Sequence, residues 1–324
     1  MRRKSFLAAL LAAFAVPLAM AQPAAWPDKP IKWVLSQPPG SGPDNVARLL
    51  ADRLGKQWGQ AVVIENRPGG QNVVGAVQAA RSPGDGYNFY FATAAALVTN
   101  IYLFKQLPYD PPKDFAAVGF VARSPFGVLV KADSPLRTIE ELIARSKSEP
   151  GRMSIGNEGP RTFGGVIARL FNARTKADAN LVSYASVSVS LQDLMGGHVD
   201  AVVADVASSA QLVKQGRLRM LAVTSSKRVP GFESVPTLNE GVMPGLEMVG
   251  WFALVAPTGT PQPVIERVNR DLNALLADRD VAERIAAIGP IADASMSPEA
   301  TNAFLRAERA RWGEISKEIG LLPE

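Results

Sequence analysis

Two glycine- and proline-bearing turns hold the residues whose types and spacing can do chemistry. The first is Pro38-Pro-Gly-Ser-Gly-Pro-Asp44, and the second is Asn157-Glu-Gly-Pro-Arg-Thr-Phe-Gly-Gly165. Each follows a short apolar run and precedes apolar residues at helical spacing, so each is predicted to join a strand to a helix. Because the first N–H groups of a helix lack internal partners, such a turn can hold an anion. Taken alone, each turn is better explained as an ordinary strand-to-helix connection, and it is the matched pair on separate lobes that favours a binding cleft.

Single charged residues near these turns admit two interpretations each. Arg161 stands just before a predicted helix and beside Gly159. Its guanidinium can form a bidentate pair with a ligand carboxylate, or it can pair with Glu158 within the turn and point to solvent. Asp205, at the end of a predicted strand, can accept a hydrogen bond from a ligand or cap the next helix.

Enzyme chemistry has little support in this sequence. There is one histidine, His198, and no cysteine, so neither thiolate chemistry nor a cysteine metal site is possible. No Gly-x-Ser-x-Gly elbow, phosphate-binding loop or dinucleotide fingerprint is present. We therefore predict no metal and no cofactor. The alternative is a secreted hydrolase with a Ser/His pair on His198 or a Ser/Lys pair on Lys147.

The elements that position these turns alternate between strands and helices. Strands are predicted at 31–35, 61–65 and 88–93, with helices at 45–58 and 73–81 between them, which is a parallel βαβαβ unit. Similar alternation from residue 127 to 224, which opens with a predicted strand at 127–130, predicts a second α/β lobe. The proline-rich segment 107–115 is predicted to be a surface crossing and 230–245 a long return connection. We infer lobe 1 from 22–122 and 251–324, lobe 2 from 123–250, and two crossings near 121–127 and 248–256.

Composition and the amino terminus indicate an exported globular protein. The chain has 324 residues, of which 47% are hydrophobic. Residues 1–21 combine a basic start, an apolar stretch and Ala19-Met-Ala21, which predicts a signal peptide cleaved near Ala21. Its removal lowers the formal charge from +5 to +2, because Arg2, Arg3 and Lys4 are lost. No basic run is interleaved with aromatic residues, so we predict no nucleic-acid partner.

Several motifs together resemble one family. They are Trp26-Pro-Asp-Lys-Pro-Ile31, the Pro38–Asp44 turn, Val63-Ile-Glu-Asn-Arg-Pro-Gly69, Gly84-Asp-Gly-Tyr87, Leu107-Pro-Tyr-Asp110 and Gly196-Gly-His-Val-Asp200. With them the chain resembles the Bug-type receptors, the extracytoplasmic solute-binding proteins of tripartite tricarboxylate transporters. The resemblance covers nearly the whole mature chain.

This resemblance implies a two-lobed α/β periplasmic binding protein fold of type II, with a mostly parallel sheet flanked by helices in each lobe. It implies a periplasmic protein that binds a small carboxylated solute, delivers it where a membrane transporter is present and performs no catalysis. We also predict a monomer. The ligand-binding positions that it implies are Pro39, Gly40, Ser41, Asp44, Thr93, Ala94, Asn157, Gly159, Thr162, Tyr184, Ser186 and Asp205.

Departures from the family pattern cluster at the expected ligand. Gln37 replaces an aromatic residue, Ser41 replaces a glycine, and Arg161 stands in a turn that lacks the usual histidine. From Arg161 we predict a ligand with a second charged group, or an aromatic acid whose ring contacts Phe163 or Tyr184. A cytoplasmic ligand-sensing regulator, a third possibility, is disfavoured by the export signal.

Overall fold

The computed structural model describes residues 26–323. The predicted signal peptide and its cleavage site therefore lie outside the described residues. The strands are β1 Ile31–Leu35, β2 Val62–Asn66, β3 Asn88–Thr93, β4 Phe115–Lys131, β5 Ser154–Asn157, β6 Asn180–Ser183, β7 Ala201–Asp205, β8 Leu218–Val223, β9 Val249–Pro257 and β10 Ile291–Ala292.

Eleven α-helices are found among these residues. They are α1 Gly42–Trp58, α2 Val73–Ala80, α3 Asn100–Leu103, α4 Pro111–Asp114, α5 Ile139–Ser148, α6 Phe163–Thr175, α7 Val187–Gly196, α8 Val206–Lys214, α9 Gln262–Ala277, α10 Arg279–Ile288 and α11 Pro298–Glu318. A π-helical segment, Ala95–Thr99, runs directly into α3.

The strands form two sheets that share β4. The first sheet has the order β2-β1-β3-β9-β4, with β10 also beside β4, and the second contains β4, β7, β5 and β6, with β8 also beside β4. In the first sheet β1, β2, β3 and β4 run in one direction, and in the second β5 to β8 do. Each sheet is therefore mostly parallel, and strands that run the other way lie between or beside the parallel ones.

The carboxyl ends of the parallel strands meet at the middle of β4. Pairing between β4 and β9 ends at Pro125, and pairing between β4 and β7 begins at Phe126. Strand β7 ends at Asp205, directly opposite Phe126. In the first sheet β3 ends at Thr93, whose partner Phe252 pairs with Ala122. Ligands of such sheets lie beyond the carboxyl strand ends, so the candidate site adjoins residues 122–126.

Two expectations from the sequence were wrong in this region. Only 127–130 of β4 was predicted to be strand, whereas the strand has 17 residues. It is interrupted by register shifts between Ala117 and Gly119 and between Phe120 and Ala122, which break the alternation of side chains. The segment 107–115 is not a surface crossing, because Tyr109 is buried, its hydroxyl donates to the Ala96 carbonyl, and Phe115 begins β4.

The C-terminal helix links the two sheets. Near its start Phe304 packs against Phe120 and Trp251 of the first sheet, with ring centroids 5.0 and 5.4 Å apart. Further along, the ring centroid of Trp312 lies 5.3 Å from that of Phe163, the first residue of α6, which follows β5 of the second sheet. The fold is thus the expected two-lobed α/β arrangement. The lobe boundaries at 122/123 and 250/251 stay a prediction.

Candidate functional site

Asp44 holds the first turn together from inside. Its side chain is 1% exposed. Its Oδ2 accepts hydrogen bonds from the Gly40 N–H at 2.8 Å and the Arg48 Nε at 2.9 Å, and its Oδ1 accepts one from the Asn66 amide at 2.8 Å. Burial raises the pKa of Asp44, but these hydrogen bonds outweigh it and keep the pKa below its usual value. The Gly40 N–H, predicted to meet a ligand, is therefore used within the turn.

Two neighbours complete this turn. The Ser41 hydroxyl caps α1 by accepting a hydrogen bond from the Asp44 N–H, and Pro39 is exposed beside it. Asn66, at the end of β2, also donates to the Gln37 carbonyl at 2.9 Å. The sequence analysis missed Asn66, although it lies within the quoted motif that ends at Gly69. A polar residue at the end of a parallel strand was the signal that could have identified it.

The helix that follows β3, like α2, begins without a side-chain cap. Ser41, Thr162 and Asp205 cap α1, α6 and α8, whereas no side chain caps the segment that starts at Ala95. Among the described residues, none accepts a hydrogen bond from the Ala95 N–H. Ala94 is 1% exposed, so its methyl group fills the core and only its backbone can serve a ligand. This helix start is thus an electropositive position without an internal acceptor.

Polar side chains of the first sheet lie beside that helix start. The Gln37 amide nitrogen lies 3.5 Å from the Thr93 hydroxyl, so the ends of β1 and β3 are brought together. The same nitrogen donates to the Asn72 side chain at 2.5 Å. The Gln37 Oε1 is buried and has no partner among the described residues. The predicted residues Gln37 and Thr93 therefore form one group with the Ala95 backbone.

The second turn satisfies its own N–H groups. Asn157 is 1% exposed, and its Oδ1 accepts a hydrogen bond from the Gly159 N–H at 2.9 Å. The Thr162 hydroxyl accepts one from the Gly165 N–H at 3.2 Å and donates to the Gly159 carbonyl at 2.8 Å. Asn157, Gly159 and Thr162 therefore stabilise the turn through bonds to one another and to Gly165, and their contact with a ligand stays a prediction.

Glu158 gives this turn an acidic character that the sequence analysis missed. Its Oε1 accepts a hydrogen bond from the Gly164 N–H at 3.4 Å, where an anionic ligand was expected. Burial, and then the charge of Asp205, raise the pKa of the Glu158 carboxyl. Asp205 caps α8, because its Oδ1 accepts a hydrogen bond from the Ser208 N–H at 2.8 Å. This is the second of the two roles that the sequence allowed for Asp205. The second sheet thus presents two neighbouring carboxyl groups.

Tyr184 and Ser186 lie farther along the same sheet edge. The Tyr184 hydroxyl donates to Asp193 at 2.9 Å, and its backbone N–H donates to the Asn157 carbonyl. Ser186 is exposed and caps α7. His198 lies 3.3 Å from the same Asp193, with 72% of its side chain exposed. It is therefore a histidine of a surface turn.

The Arg161 guanidinium donates hydrogen bonds to two backbone carbonyls. Its Nη1 donates to the Leu103 carbonyl and its Nη2 to the Leu322 carbonyl, both at 2.8 Å. Leu103 ends the helix that follows Thr93, so this guanidinium joins the second turn to the first sheet. Whether Arg161 also contacts a ligand stays a prediction.

Among residues 26–323 no group of three or more His, Cys, Asp or Glu residues is arranged to hold a metal, and no helix is long and apolar enough to cross a membrane. A cavity of about 690 Å³ lies between Tyr102 and the end of α11, and none of its lining residues belongs to the predicted site.

Comparison with known proteins agrees with this geometry. The family described as the tripartite tricarboxylate transporter family receptor matches residues 46–321. Protein BugT of Bordetella pertussis is 32% identical over 91% of this chain and 90% of its own length. The structure of R. palustris Rpa4515 with adipate is 32% identical with a TM-score of 0.82, covering 92% of this chain and 100% of that one. MatC from Rhodopseudomonas palustris with bound malate is 25% identical with a TM-score of 0.76, covering 90% and 99%.

The fold and the position of the site define a solute-binding protein, and such proteins are periplasmic receptors rather than enzymes. This chain belongs to the tripartite tricarboxylate transporter receptor family, the family of the Bug-type proteins, as the sequence motifs predicted. The hydrolase alternative is therefore wrong.

Proposed function

We propose that this protein captures a small organic carboxylate between its two sheets in the periplasm and delivers it to a tripartite tricarboxylate-type transporter. The observation that carries the proposal is the uncapped helix start at Ala95. It lies at the carboxyl end of β3, where ligands of parallel sheets bind, and next to the hydroxyl of Thr93 and the amide of Gln37. The Ala95 N–H and the Thr93 hydroxyl can donate hydrogen bonds, which is what a carboxylate requires, whereas the N–H groups of the Gln37 amide are already directed at Asn72 and Thr93.

The turn between β5 and α6 of the second sheet has the reverse polarity. The Glu158 carboxyl group already accepts a hydrogen bond from the Gly164 N–H at the start of α6. The charge of Asp205 contributes to the raised pKa of Glu158. A second anionic group on the ligand would meet these carboxyl groups, whereas a hydroxyl or ammonium group would find acceptors. The sequence predicted a second charged group on the ligand without giving its sign, and the polarity here favours a hydrogen-bond donor such as an ammonium group. The solved relatives hold adipate and malate, which are both dicarboxylates, and malate also carries a hydroxyl group.

A thermal-shift panel tests the function. Adipate, 6-aminohexanoate, malate and benzoate are each added to the mature protein. A ligand at a hundred times its dissociation constant stabilises the folded state by about 2.7 kcal/mol. Stabilisation by at least one acid is expected, and failure of a broad panel of organic acids to stabilise the protein would contradict a carboxylate receptor.

Calorimetry of variants then tests the two sides separately. Thr93→Val removes a donor at the proposed carboxylate position, and we expect affinity to fall about tenfold, or about 1.4 kcal/mol. Glu158→Gln is expected to improve adipate binding relative to 6-aminohexanoate. Glu140→Gln, an exposed residue of α5, is the matched control. If Glu158→Gln left the ratio of the two affinities unchanged, the polarity argument would be wrong while the carboxylate function stood.

A further inference from the structure

Arg161 connects three parts of the chain that are distant in sequence. It lies in the turn between β5 and α6 of the second sheet. Its guanidinium donates 2.8 Å hydrogen bonds to the carbonyl of Leu103, at the end of the first-sheet helix, and to that of Leu322, after α11. A planar guanidinium can reach two carbonyls at once because its N–H groups diverge in a fixed plane.

The acceptors of Arg161 are held in place by other contacts. The Leu103 carbonyl is at a helix end, where carbonyls lack internal partners and carry partial negative charge. The segment that leads to Leu322 is fixed against α6, because Arg169 donates to the Ile319 carbonyl at 2.7 Å and Arg174 pairs with Glu318 at 2.9 and 3.0 Å. The bond to Leu103 thus adds a direct link from the second turn to the helix that follows β3, beside the links that α11 makes between the sheets.

The position of Leu103 connects this bond to the proposed ligand site. The helical segment that ends at Leu103 begins at Ala95, which is the proposed carboxylate position. A tether between Arg161 and Leu103 therefore fixes the distance between the second turn and the helix that receives the ligand. This link needs no ligand, because both of its groups belong to the protein.

We propose that Arg161 is a positioning residue that holds the two lobes in the binding-competent arrangement before ligand arrives. When only a fraction of the protein is competent, the apparent dissociation constant rises by the inverse of that fraction. Loss of Arg161 then allows the lobes to separate and lowers affinity indirectly. The effect on lobe separation does not depend on the identity of the ligand.

The test measures the lobe separation directly. The chain contains no cysteine, so Val63→Cys and Val189→Cys provide the only labelling sites. Both side chains are exposed, one on β2 of the first sheet and one on α7 beside the second. Spin labels on this pair give the distance distribution by electron–electron resonance in the ligand-free protein. We expect a single narrow distribution with Arg161 present.

Three variants are compared in this background. Arg161→Ala is expected to broaden the distribution toward longer distances, and Arg161→Lys to do so as well, because one ammonium does not reproduce the two-carbonyl geometry. Arg145→Ala, which removes an ion pair within α5, is the control and should match the unmodified protein. If Arg161→Ala does not fold, the distance distribution of Arg161→Lys decides whether the arginine holds the lobes together. Distributions that coincide with the control would overturn the proposal.

Adipate titration adds a second readout, which rests on the proposed function. We expect about a tenfold weaker affinity for Arg161→Ala, together with the longer distances. Weaker binding with unchanged ligand-free distances would overturn the positioning role and indicate a direct ligand contact. If adipate binds no variant, the choice of ligand is wrong, and the distance distributions still decide the role of Arg161.

Discussion

At the scale of single residues, most predicted ligand positions serve the turns in which they lie. Asp44 and Asn157 are each 1% exposed and accept hydrogen bonds from the glycine N–H groups that were expected to meet a ligand. Ser41 and Asp205 cap helices. The sequence could identify these positions because turn-forming residues are recognisable locally. It could not show which N–H groups remain available, because that depends on side-chain orientation.

Asp44→Asn is expected to destabilise the protein. The variant loses the charge-assisted bonds to Arg48 and Gly40 inside a buried turn, and such bonds are worth about 1.5–3 kcal/mol each. Urea unfolding measures the change. Asp52→Asn on the same helix is the control, because its exposed pair with Lys56 contributes about 0–1 kcal/mol. Equal losses in the two variants would contradict the structural role of Asp44.

The pH dependence of Asp44→Asn has a definite sign. Because the pKa of Asp44 is lowered in the folded state, its stabilisation is present above the unfolded value of 3.8 and is lost as pH falls through the lower folded value. The difference between wild type and variant should therefore shrink in strong acid.

Glu158→Gln is expected to behave in the opposite way. The pKa of Glu158 is raised, so the folded protein holds this proton more tightly than the unfolded chain does, and wild type loses stability as pH rises above 4.5. The variant should be more stable than wild type at pH 7 and no more stable at pH 3.5. Thermal unfolding at the two pH values measures this. A variant that is less stable at pH 7 would show that Glu158 is paired.

At the scale of elements, the second turn depends on close backbone contact. A Cβ at Gly165 would lie 1.9 Å from the Gly159 carbonyl oxygen, whereas one at Gly164 would have no contact closer than 3.4 Å. A carbonyl fixed in the turn by Thr162 cannot move aside easily. The adjacent glycines therefore have different structural roles, although the sequence shows them as a pair.

Gly165→Ala should consequently unfold more easily than Gly164→Ala. We expect a loss of about 1–3 kcal/mol from overpacking for the first and little change for the second, since alanine also favours helix formation. Urea unfolding of both variants provides the comparison. Equal stability of the two would contradict the tight approach of α6 to the turn.

The elements also show what the sequence could specify. Strands β1 and β3 were predicted at their observed bounds because a short apolar run between turns leaves little choice. Most of β4 was missed, since Arg123 and Pro125 and the register shifts interrupt its pattern. Its continuity is provided by neighbouring strands far away in sequence. The helix start at Ala95 was also not predicted, because its apolar residues give no local start signal.

At the scale of the whole molecule, the two lobes also touch away from Arg161. Gly289, at the end of α10, lies against Ala207 at the start of α8, and a Cβ there would be 2.4 Å from the Ala207 Cα. Ile288, next to it, is close to Gly42 at the start of α1. This contact therefore lies between the helix starts of the two lobes.

Gly289→Ala is expected to push the lobes apart. Gly259→Ala is the matched control, because both glycines have positive φ but a Cβ at Gly259 would meet nothing within 4 Å. Both variants should lose about 1–2 kcal/mol for the backbone conformation. Only Gly289→Ala should lengthen the label distance between positions 63 and 189. No difference between the variants in that distance would mean that the contact does not govern lobe separation.

The central claim is that a carboxylate binds at the start of the helix that follows β3. A crystal structure with the acid that binds most tightly in the thermal-shift panel tests it most directly. We predict carboxylate oxygens about 2.8–3.0 Å from the Ala95 N–H and the Thr93 hydroxyl, with the far end of the ligand toward Glu158. A carboxylate found instead at the start of α6, or a ligand outside the gap between the sheets, would contradict the account.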